Sequence, residues 1–348
     1  MKKSIYRLAA SIAVSLLIVC IVDASGFVTN GHRSDGLFYQ ASGIRPDAQL
    51  LTINGQTVEA EEYLYWLTYD CEYLSSYVSN LDFNAELSDG MTYGDYAKTD
   101  ALETVKLYTV VRQLAEANGV TLTEEDRAAL AQQREQYVAY YGSEEAYQLQ
   151  IRGMGVSEEA FDRINEGYFL YARLYQNFCS ADSALYPGQE ALIDFAREKG
   201  YVTTLLLYWP LGGESDDNSR LAAEDFAQQL RQAEDVSATY LELAAQLGMD
   251  DVTESGVTAS AEDMGETLTA ALSALAPGPV SDVIDTGSAL YVAVGQELDV
   301  SVLMGTLFEQ QVQTACSEAQ VVYNQKLYDK LSVSDFFSKL QQARQALS

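Results

Sequence analysis

A turn signal followed at once by an amphipathic helix limits how residues 50–74 can fold. Asn54-Gly55 stands between two short β-type runs, Leu51–Ile53 and Thr57–Val58. An Asn-Gly pair favours a two-residue turn with positive φ at both positions, so the segment predicts a small hairpin. Behind it, apolar and aromatic residues recur with the period of one helical face: Tyr63, Trp66, Leu67, Cys71 and Leu74. We therefore expect a hairpin that leads into a helix with this face in a core.

Helical signals continue to about residue 200. A helix over about Asp95–Asn118 should stop at Gly119, because glycine is favoured just past a helix end. The N-caps expected for the three helices that follow are Thr123, Ser143 and Ser157, each with acidic residues in the first turn behind it. We interpret residues 49–200 as one helical unit.

Tyrosine is dense in this helical unit. Tyr65, Tyr69 and Tyr73 form a second stripe on the first helix, separate from the face of Trp66. Tyrosine combines a broad apolar ring with a polar tip at little rotamer cost, which suits adaptable contacts with a peptide. These three residues are therefore candidates for binding polypeptide. The alternative is that the rings complete a helical core, with their hydroxyls at its edge.

Strand-like segments appear between residues 201 and 299. Val202–Trp209 is a hydrophobic run that predicts a strand. The other expected elements are helices near 219–233, 238–247 and 264–275, the turn Pro277-Gly278-Pro279, and strands over 280–284 and 289–295. Strands and helices in separate segments indicate the α+β class.

Residues 300–348 return to a helical pattern. An apolar face steps by three or four residues through Met304, Phe308, Val312, Ala315, Ala319 and Val322. We expect residues 300–330 to pack on residues 50–120, whose first helix presents its own apolar face. The alternative is an independent coiled-coil arm.

The first 24 residues have the pattern of a targeting segment. Lys2, Lys3 and Arg7 precede 15 uncharged, mostly apolar residues, Leu8 to Val22. That length is short for a spanning helix and typical of a signal sequence. Cleavage, an uncleaved anchor, and lipidation at Cys20 all stay open, and each places the remaining chain outside the cytoplasm. Residues 25–48 are rich in Gly, Ser and Asp and are interpreted as a linker.

Charge and cysteine content exclude several function classes. The formal net charge of −30 repels phosphate backbones, so nucleic-acid binding is not expected. The same charge either attracts cationic unfolded polypeptide or only keeps the protein soluble. Cys71, Cys179 and Cys316 lack metal-ligand spacing, and the one histidine is His32, so we predict buried cysteines and no metal or cofactor.

Several segments resemble one known family in the family's own order. The motifs are NGQTVEAEEY from Asn54, GVTLTEED from Gly119, YGSEEAY from Tyr141, GVSEEAF from Gly155, and ALSALAPGPVSDVIDTGSALYVAVGQ from Ala271. They resemble the PrsA-like extracytoplasmic foldases and the SurA-like chaperones, which pair a helical domain with a parvulin-type (PpiC-like) prolyl isomerase domain. The resemblance implies a SurA-like helical domain at 49–200, completed by C-terminal helices at 300–348, with a parvulin-like domain at 201–299 inserted.

The resemblance also implies a function, with one departure from the family pattern. Active parvulins carry histidines in the first and last strands of the domain, and this chain has Thr204 and Tyr291 there. Met264 and Leu268 would retain the apolar slot for a prolyl ring. The expected function is binding of unfolded or proline-containing polypeptide, with weak or no isomerase activity. The alternatives are an active isomerase with a reshaped site and a non-catalytic structural or adaptor protein of the cell envelope.

Overall fold

The computed structural model describes residues 31–212, 216–249 and 256–346. The predicted targeting segment, residues 1–24, lies outside these residues. The described chain divides into two units. The first, which we call the helical unit, combines the described residues up to Tyr186 with those from Phe308 onward, and the second is Pro187–Leu307.

A small sheet joins the two sequence segments of the helical unit. Strands β1 (Gln49–Ile53) and β2 (Gln56–Glu59) form the expected hairpin, and Asn54 and Gly55 both have positive φ, 50° and 81°. Strand β9 (Val321–Tyr323) pairs antiparallel with β1 on its other edge, with Leu51 opposite Tyr323. The C-terminal segment therefore pairs with the N-terminal segment in one sheet. The predicted helical face is wrong at Val322, which lies in this strand.

Helices form most of the helical unit. Their bounds are α1 (Gly36–Ser42), α2 (Ala60–Tyr77), α3 (Tyr93–Ala117), α4 (Glu124–Tyr141), α5 (Glu144–Met154) and α6 (Glu158–Cys179). A short hairpin of β3 (Glu86–Ser88) and β4 (Met91–Thr92) precedes α3. The side chains of Thr123, Ser143 and Ser157 all accept a backbone N–H at the start of a helix, which confirms the three predicted caps.

The predicted apolar face of α2 lies in the core. Tyr63, Leu67 and Cys71 are fully buried, Trp66 is nearly so, and Leu74 is half-buried against the same cluster. Burial raises the pKa of the Cys71 thiol well above its usual range. The expectation of buried cysteines is wrong for Cys179, which is exposed, and all three described cysteines are free thiols.

The predicted linker is structured over its described part. Residues Leu37, Phe38 and Ala41 of α1 are buried in the core of the helical unit, and the Phe38 ring lies 5.8 Å from that of Phe336. Composition suggested a tether because Gly, Ser and Asp surround a single short turn of apolar residues. The apolar residues become a core face once a C-terminal helix covers them.

The second unit is a four-stranded sheet with helices on both faces. Its strands are β5 (Val202–Pro210), β6 (Val257–Ala259), β7 (Ile284–Asp285) and β8 (Ala289–Gly295), in the order β6-β5-β8-β7. Its helices are α7 (Gln189–Lys199), α8 (Asp216–Gln232), α9 (Val236–Gln246), α10 (Ala261–Met264) and α11 (Glu266–Ser273), followed by a 3₁₀ turn (Val300–Leu303). The unit thus includes α7, which the sequence placed in 49–200. The helix expected over 264–275 is interrupted at Gly265, whose φ is 77°.

The described chain ends with three helices: α12 (Met304–Glu318), which begins in the last residues of the second unit, α13 (Gln325–Tyr328) and α14 (Val333–Gln345). Mixed helices and small antiparallel sheets confirm the α+β class. Among the residues that the structure describes, none of the helices has both the length and the apolar character needed to span a bilayer. The same described residues contain no cluster of three or more His, Cys, Asp or Glu side chains placed to hold a metal ion.

Candidate polypeptide-binding surface

A row of tyrosines runs along the solvent side of α2. Tyr65, Tyr69, Tyr73 and Tyr77, which we call the tyrosine stripe, follow one another at a spacing of four residues. Tyr65 is half-buried, while Tyr69, Tyr73 and Tyr77 are 55%, 54% and 74% exposed. At the rise of an α-helix, the stripe is about 18 Å long. The predicted residues Tyr65, Tyr69 and Tyr73 therefore share one surface, and Tyr77 extends it beyond the sequence prediction.

Aromatic contacts connect the stripe to the core beneath it. The Trp66 ring lies 5.1 Å from that of Tyr65 and 5.9 Å from that of Tyr69, and it stacks on Tyr108 of α3 at 5.4 Å. Tyr108 in turn contacts the exposed Tyr168 of α6 at 5.2 Å. Burial, followed by the neighbouring Tyr168 and Tyr69, raises the pKa of Tyr65. The stripe is therefore continuous with an aromatic cluster that spans three helices.

Two buried carboxylates hold α2 in place. Glu61 accepts hydrogen bonds from Arg33 Nη1 and from both the backbone N–H and the hydroxyl of Ser157, each at 3.0 Å. Glu62 accepts from Arg112 Nη2 at 2.8 Å. A buried charge is tolerated only when it is paired in this way, so these bonds fix the position of α2 against α3 and α6.

A third buried carboxyl of α2 lacks such a partner. Asp70 is buried beside Asp100 of α3, and its Oδ2 has no hydrogen-bond partner among the described residues. Burial and the neighbouring carboxyl raise the pKa of Asp70 to about 8. The carboxyl is therefore largely protonated at neutral pH, directly behind the row of exposed tyrosines.

A groove opens between α4, α5 and α6. It encloses about 240 Å³ and is lined by apolar and polar side chains, which include Leu130, Ala131, Tyr137, Tyr147, Phe161, Asp162 and Glu166. We call it the three-helix groove. Tyr137 lies close enough to Tyr65 to contribute to the raised pKa of that residue. Helix α6 lines the groove and also carries Tyr168, which contacts Tyr108 beneath the tyrosine stripe. Sequence reasoning missed the groove because its walls come from three separate helices.

The predicted isomerase positions lie on one face of the sheet in the second unit. Side chains alternate between the two faces of a strand. Leu206, Tyr291 and Met264 pack against one apolar cluster that includes Leu268, whereas the odd-numbered β5 residues Leu205 and Leu207 belong to a cluster on the other face. Thr204 shares the face of Leu206 by this alternation and is buried.

The strand register separates Thr204 from Tyr291. Thr204 is opposite Gly295, and Tyr291 is opposite Tyr208, so the two predicted positions lie about 13 Å apart along the strands. The neighbour of Tyr291 is the exposed Tyr208, whose ring lies 6.0 Å away. Sequence reasoning missed Tyr208 because pairing between β5 and β8 cannot be deduced from either strand alone.

The histidine of this chain is remote from these positions in sequence and belongs to the helical unit. The exposed His32 donates its backbone N–H to Asp47 Oδ2 at 2.7 Å. Since His32 is the one histidine in the chain, no imidazole is available on the sheet face that carries Tyr208 and Tyr291.

Comparison with known proteins found similar solved structures. No family model matches the chain, and no curated protein matches it. The foldase protein PrsA of Streptococcus pneumoniae is 18% identical, with 76% of this chain and 94% of that chain covered and a TM-score of 0.24. A peptidylprolyl isomerase (PrsA) of Bacillus cereus is 12% identical over 76% of this chain and 100% of that chain, with a TM-score of 0.27. A SurA-like chaperone of Campylobacter jejuni is 10% identical over 79% and 98%, with a TM-score of 0.20. These are the two kinds of protein that the sequence resembles.

Proposed function

We propose that this protein is an extracytoplasmic folding factor that holds unfolded polypeptide on the tyrosine stripe. The observation that carries the proposal is the exposure of Tyr69, Tyr73 and Tyr77 on a helix whose apolar face is buried in the core. A soluble domain rarely leaves a row of large rings exposed without a binding role.

The physical basis of binding is a rigid support under adaptable side chains. Tyrosine rings make apolar contacts with many sequences, and their hydroxyls bond to peptide groups, so binding does not require one client sequence. Because Trp66 and the paired carboxylates of Glu61 and Glu62 already hold α2 in place, little ordering entropy is lost on binding.

The test is suppression of aggregation of a denatured client such as citrate synthase. We expect the double variant Tyr69→Ala/Tyr73→Ala to need at least about 5-fold more protein for the same suppression, since each lost ring removes at least about 0.5 kcal/mol of binding free energy. The matched control is Tyr140→Ala/Tyr141→Ala, which removes two exposed rings of α4 outside the stripe. Equal suppression by both variants and the unchanged protein would refute a role for the stripe.

For the second unit we propose weak or no prolyl isomerase activity. The barrier to isomerisation is torsional, so a pocket that desolvates and twists the amide can lower it without proton transfer. Tyr291 and Tyr208 each offer one hydroxyl, and neither Thr204 nor Tyr291 replaces an imidazole pair. The loss of positioned donors costs roughly 10²-fold in rate. A turnover rate clearly above the uncatalysed background on a short Xaa-Pro peptide, removed by Tyr291→Ala, would instead support an active isomerase.

We further propose that the second unit is an insertion in a helical chaperone domain. In the helical unit, Leu185 and Phe308 line one small apolar cavity with Phe178 and Val312, so the chain leaves and re-enters this unit at neighbouring positions. Replacing residues 187–307 by a short flexible linker should leave a helical protein that still suppresses aggregation. Loss of the helical circular-dichroism signal in that deletion protein would contradict this organisation.

The location and partners follow from the same proposal. A basic start followed by a short apolar run would direct the chain across the membrane, with the N-terminal segment as its anchor if uncleaved. Nascent or unfolded secreted polypeptides would then be the clients. Protease treatment of intact cells should digest the described domains, and complete protection until lysis would exclude this location.

A further inference from the structure

The three-helix groove has an uneven distribution of paired and unpaired charge. Arg134 donates through Nε, Nη1 and Nη2 to Glu144 and Glu158 at 2.5 to 3.0 Å, and its guanidinium lies over the Tyr147 ring at 5.1 Å. Each of its three nitrogens thus donates to one of two carboxylates that lie outside the groove lining. This arginine is therefore already neutralised and is a poor site for an incoming anion.

The acidic residues in the groove have no such partners. Asp162 and Glu166 of α6 line it, and neither forms an ion pair or a hydrogen bond with another described residue. Burial and the nearby Glu158 raise the pKa of Asp162 by more than the attraction of Arg134 lowers it, so a further cation beside this carboxyl would stabilise its charged form. Arg127 is the other cationic side chain in the lining. Arg134 is paired with both Glu144 and Glu158, so the groove and its border together carry more negative than positive charge.

The apolar walls and the size of the groove restrict the occupant. Leu130, Phe161 and the rings of Tyr137 and Tyr147 line the groove beside Asp162. A volume of about 240 Å³ is below the range typical of drug-sized ligands and suits one or two side chains. A long aliphatic side chain with a charged end, such as lysine or arginine, can place its methylenes on these walls and its charge at the carboxylate.

We propose that the three-helix groove binds a lysine or arginine side chain of an extended polypeptide whose neighbouring apolar residues lie on the tyrosine stripe. The inference rests on the proposed function and adds a preference among clients, namely basic residues next to aromatic or aliphatic ones. Helix α6 connects the groove to the stripe, because it lines the groove and its Tyr168 contacts Tyr108, which stacks on Trp66 beneath the stripe. The formal net charge of −30 would draw such segments from a distance.

The test uses the full-length protein and two fluorescein-labelled peptides of 12 residues. One alternates Phe and Lys with Ser spacers, and the other has Gln in place of each Lys. Fluorescence anisotropy gives the dissociation constants at low and physiological salt. We expect Asp162→Asn/Glu166→Gln to weaken binding of the lysine peptide about 5-fold and to leave the glutamine peptide within 2-fold.

The control variant separates the groove from overall charge. Glu116→Gln/Glu135→Gln removes the same number of exposed acids outside the groove, and it should change neither dissociation constant by more than 2-fold. A second variant, Ala131→Trp, fills the groove without altering charge and should also weaken the lysine peptide selectively.

Three results would overturn the proposal, and they differ in whether they also contradict the proposed function. If both acidic double variants weaken the lysine peptide equally, the preference comes from net charge and the groove is not the site. If neither variant weakens it while Tyr69→Ala/Tyr73→Ala does, the groove is excluded and the stripe remains. If the unchanged protein binds neither peptide, the proposed function fails together with this inference.

Discussion

Replacing Asp70 by asparagine should make the protein more stable at neutral pH. Asp70 is buried in α2 next to Asp100, its Oδ2 has no partner among the described residues, and its pKa is raised from 3.8 to about 8. Asparagine has nearly the same shape as the protonated carboxyl and cannot ionise. The substitution therefore keeps the packing of α2. It also removes the free-energy cost of protonating, in the folded state, a carboxyl that is ionised in the unfolded chain at neutral pH.

The magnitude follows from the difference in pKa between the folded and unfolded chains. Between pH about 4 and pH about 8 the unfolded chain releases the Asp70 proton while the folded chain retains it. The folded state thus binds more protons, so stability falls as pH rises through this window. At one pKa unit per about 1.4 kcal/mol, the loss reaches at most about 4 kcal/mol at pH 7. Near pH 4 the two proteins should be equally stable within about 0.5 kcal/mol.

Urea unfolding from pH 4 to pH 9 measures the effect. The chain has two tryptophans, so in a Trp209→Phe background the fluorescence of Trp66, on α2 itself, reports the helical unit. Asp100→Asn should give less than half of the gain of Asp70→Asn, because burial is the larger cause of the raised pKa. Asp182→Asn, an exposed carboxyl, controls for net charge. Parallel pH profiles for the unchanged protein and Asp70→Asn would refute the reasoning, as would destabilisation by Asp70→Asn at every pH.

Two further predictions concern stability. Gly155 has a φ of 94°, and a Cβ there would overlap the Phe38 ring, whereas Gly142 has a φ of 90° with nothing within 4 Å of such a Cβ. In chemical denaturation, Gly155→Ala should therefore lower the free energy of unfolding by at least about 2 kcal/mol and Gly142→Ala by about 1 kcal/mol. Equal costs would show that the contact with Phe38 is unimportant. Arg173 donates to both oxygens of Asp126 at 2.7 Å and holds the pKa of that carboxyl well below its usual range. The stabilisation from this pair is therefore present above pH about 4 and is lost as pH falls through the lowered pKa. Asp126→Asn should lower the midpoint of thermal unfolding by about 3 °C at pH 7 and by less at pH 2, and the same difference at both pH values would contradict an ionic origin.

Local signals in the sequence predicted the parts of the candidate surface that lie within one helix. The spacing of Tyr65, Tyr69 and Tyr73 places them on one face whatever the rest of the chain does, and the structure exposes Tyr69 and Tyr73. The contacts of Trp66 with Tyr108, and of Tyr108 with Tyr168, could not be predicted, because they join helices whose mutual orientation depends on packing.

The same division holds for the fold. Residues fewer than five positions apart determine a positive φ at Asn54 and Gly55, or a hydroxyl cap at Thr123, so the sequence alone was sufficient there. Pairing of Leu51 with Tyr323 joins segments far apart in the chain, and a three-residue strand is too short to have a period of its own. Three more features arise only when distant segments pack together: the register that places Tyr208 opposite Tyr291, the burial of Phe38, and the lack of a hydrogen-bond partner for Asp70 Oδ2 among the described residues. Tertiary structure decided these features because the interactions that stabilise them form between segments far apart in the chain. The pattern of either segment alone does not specify such an interaction.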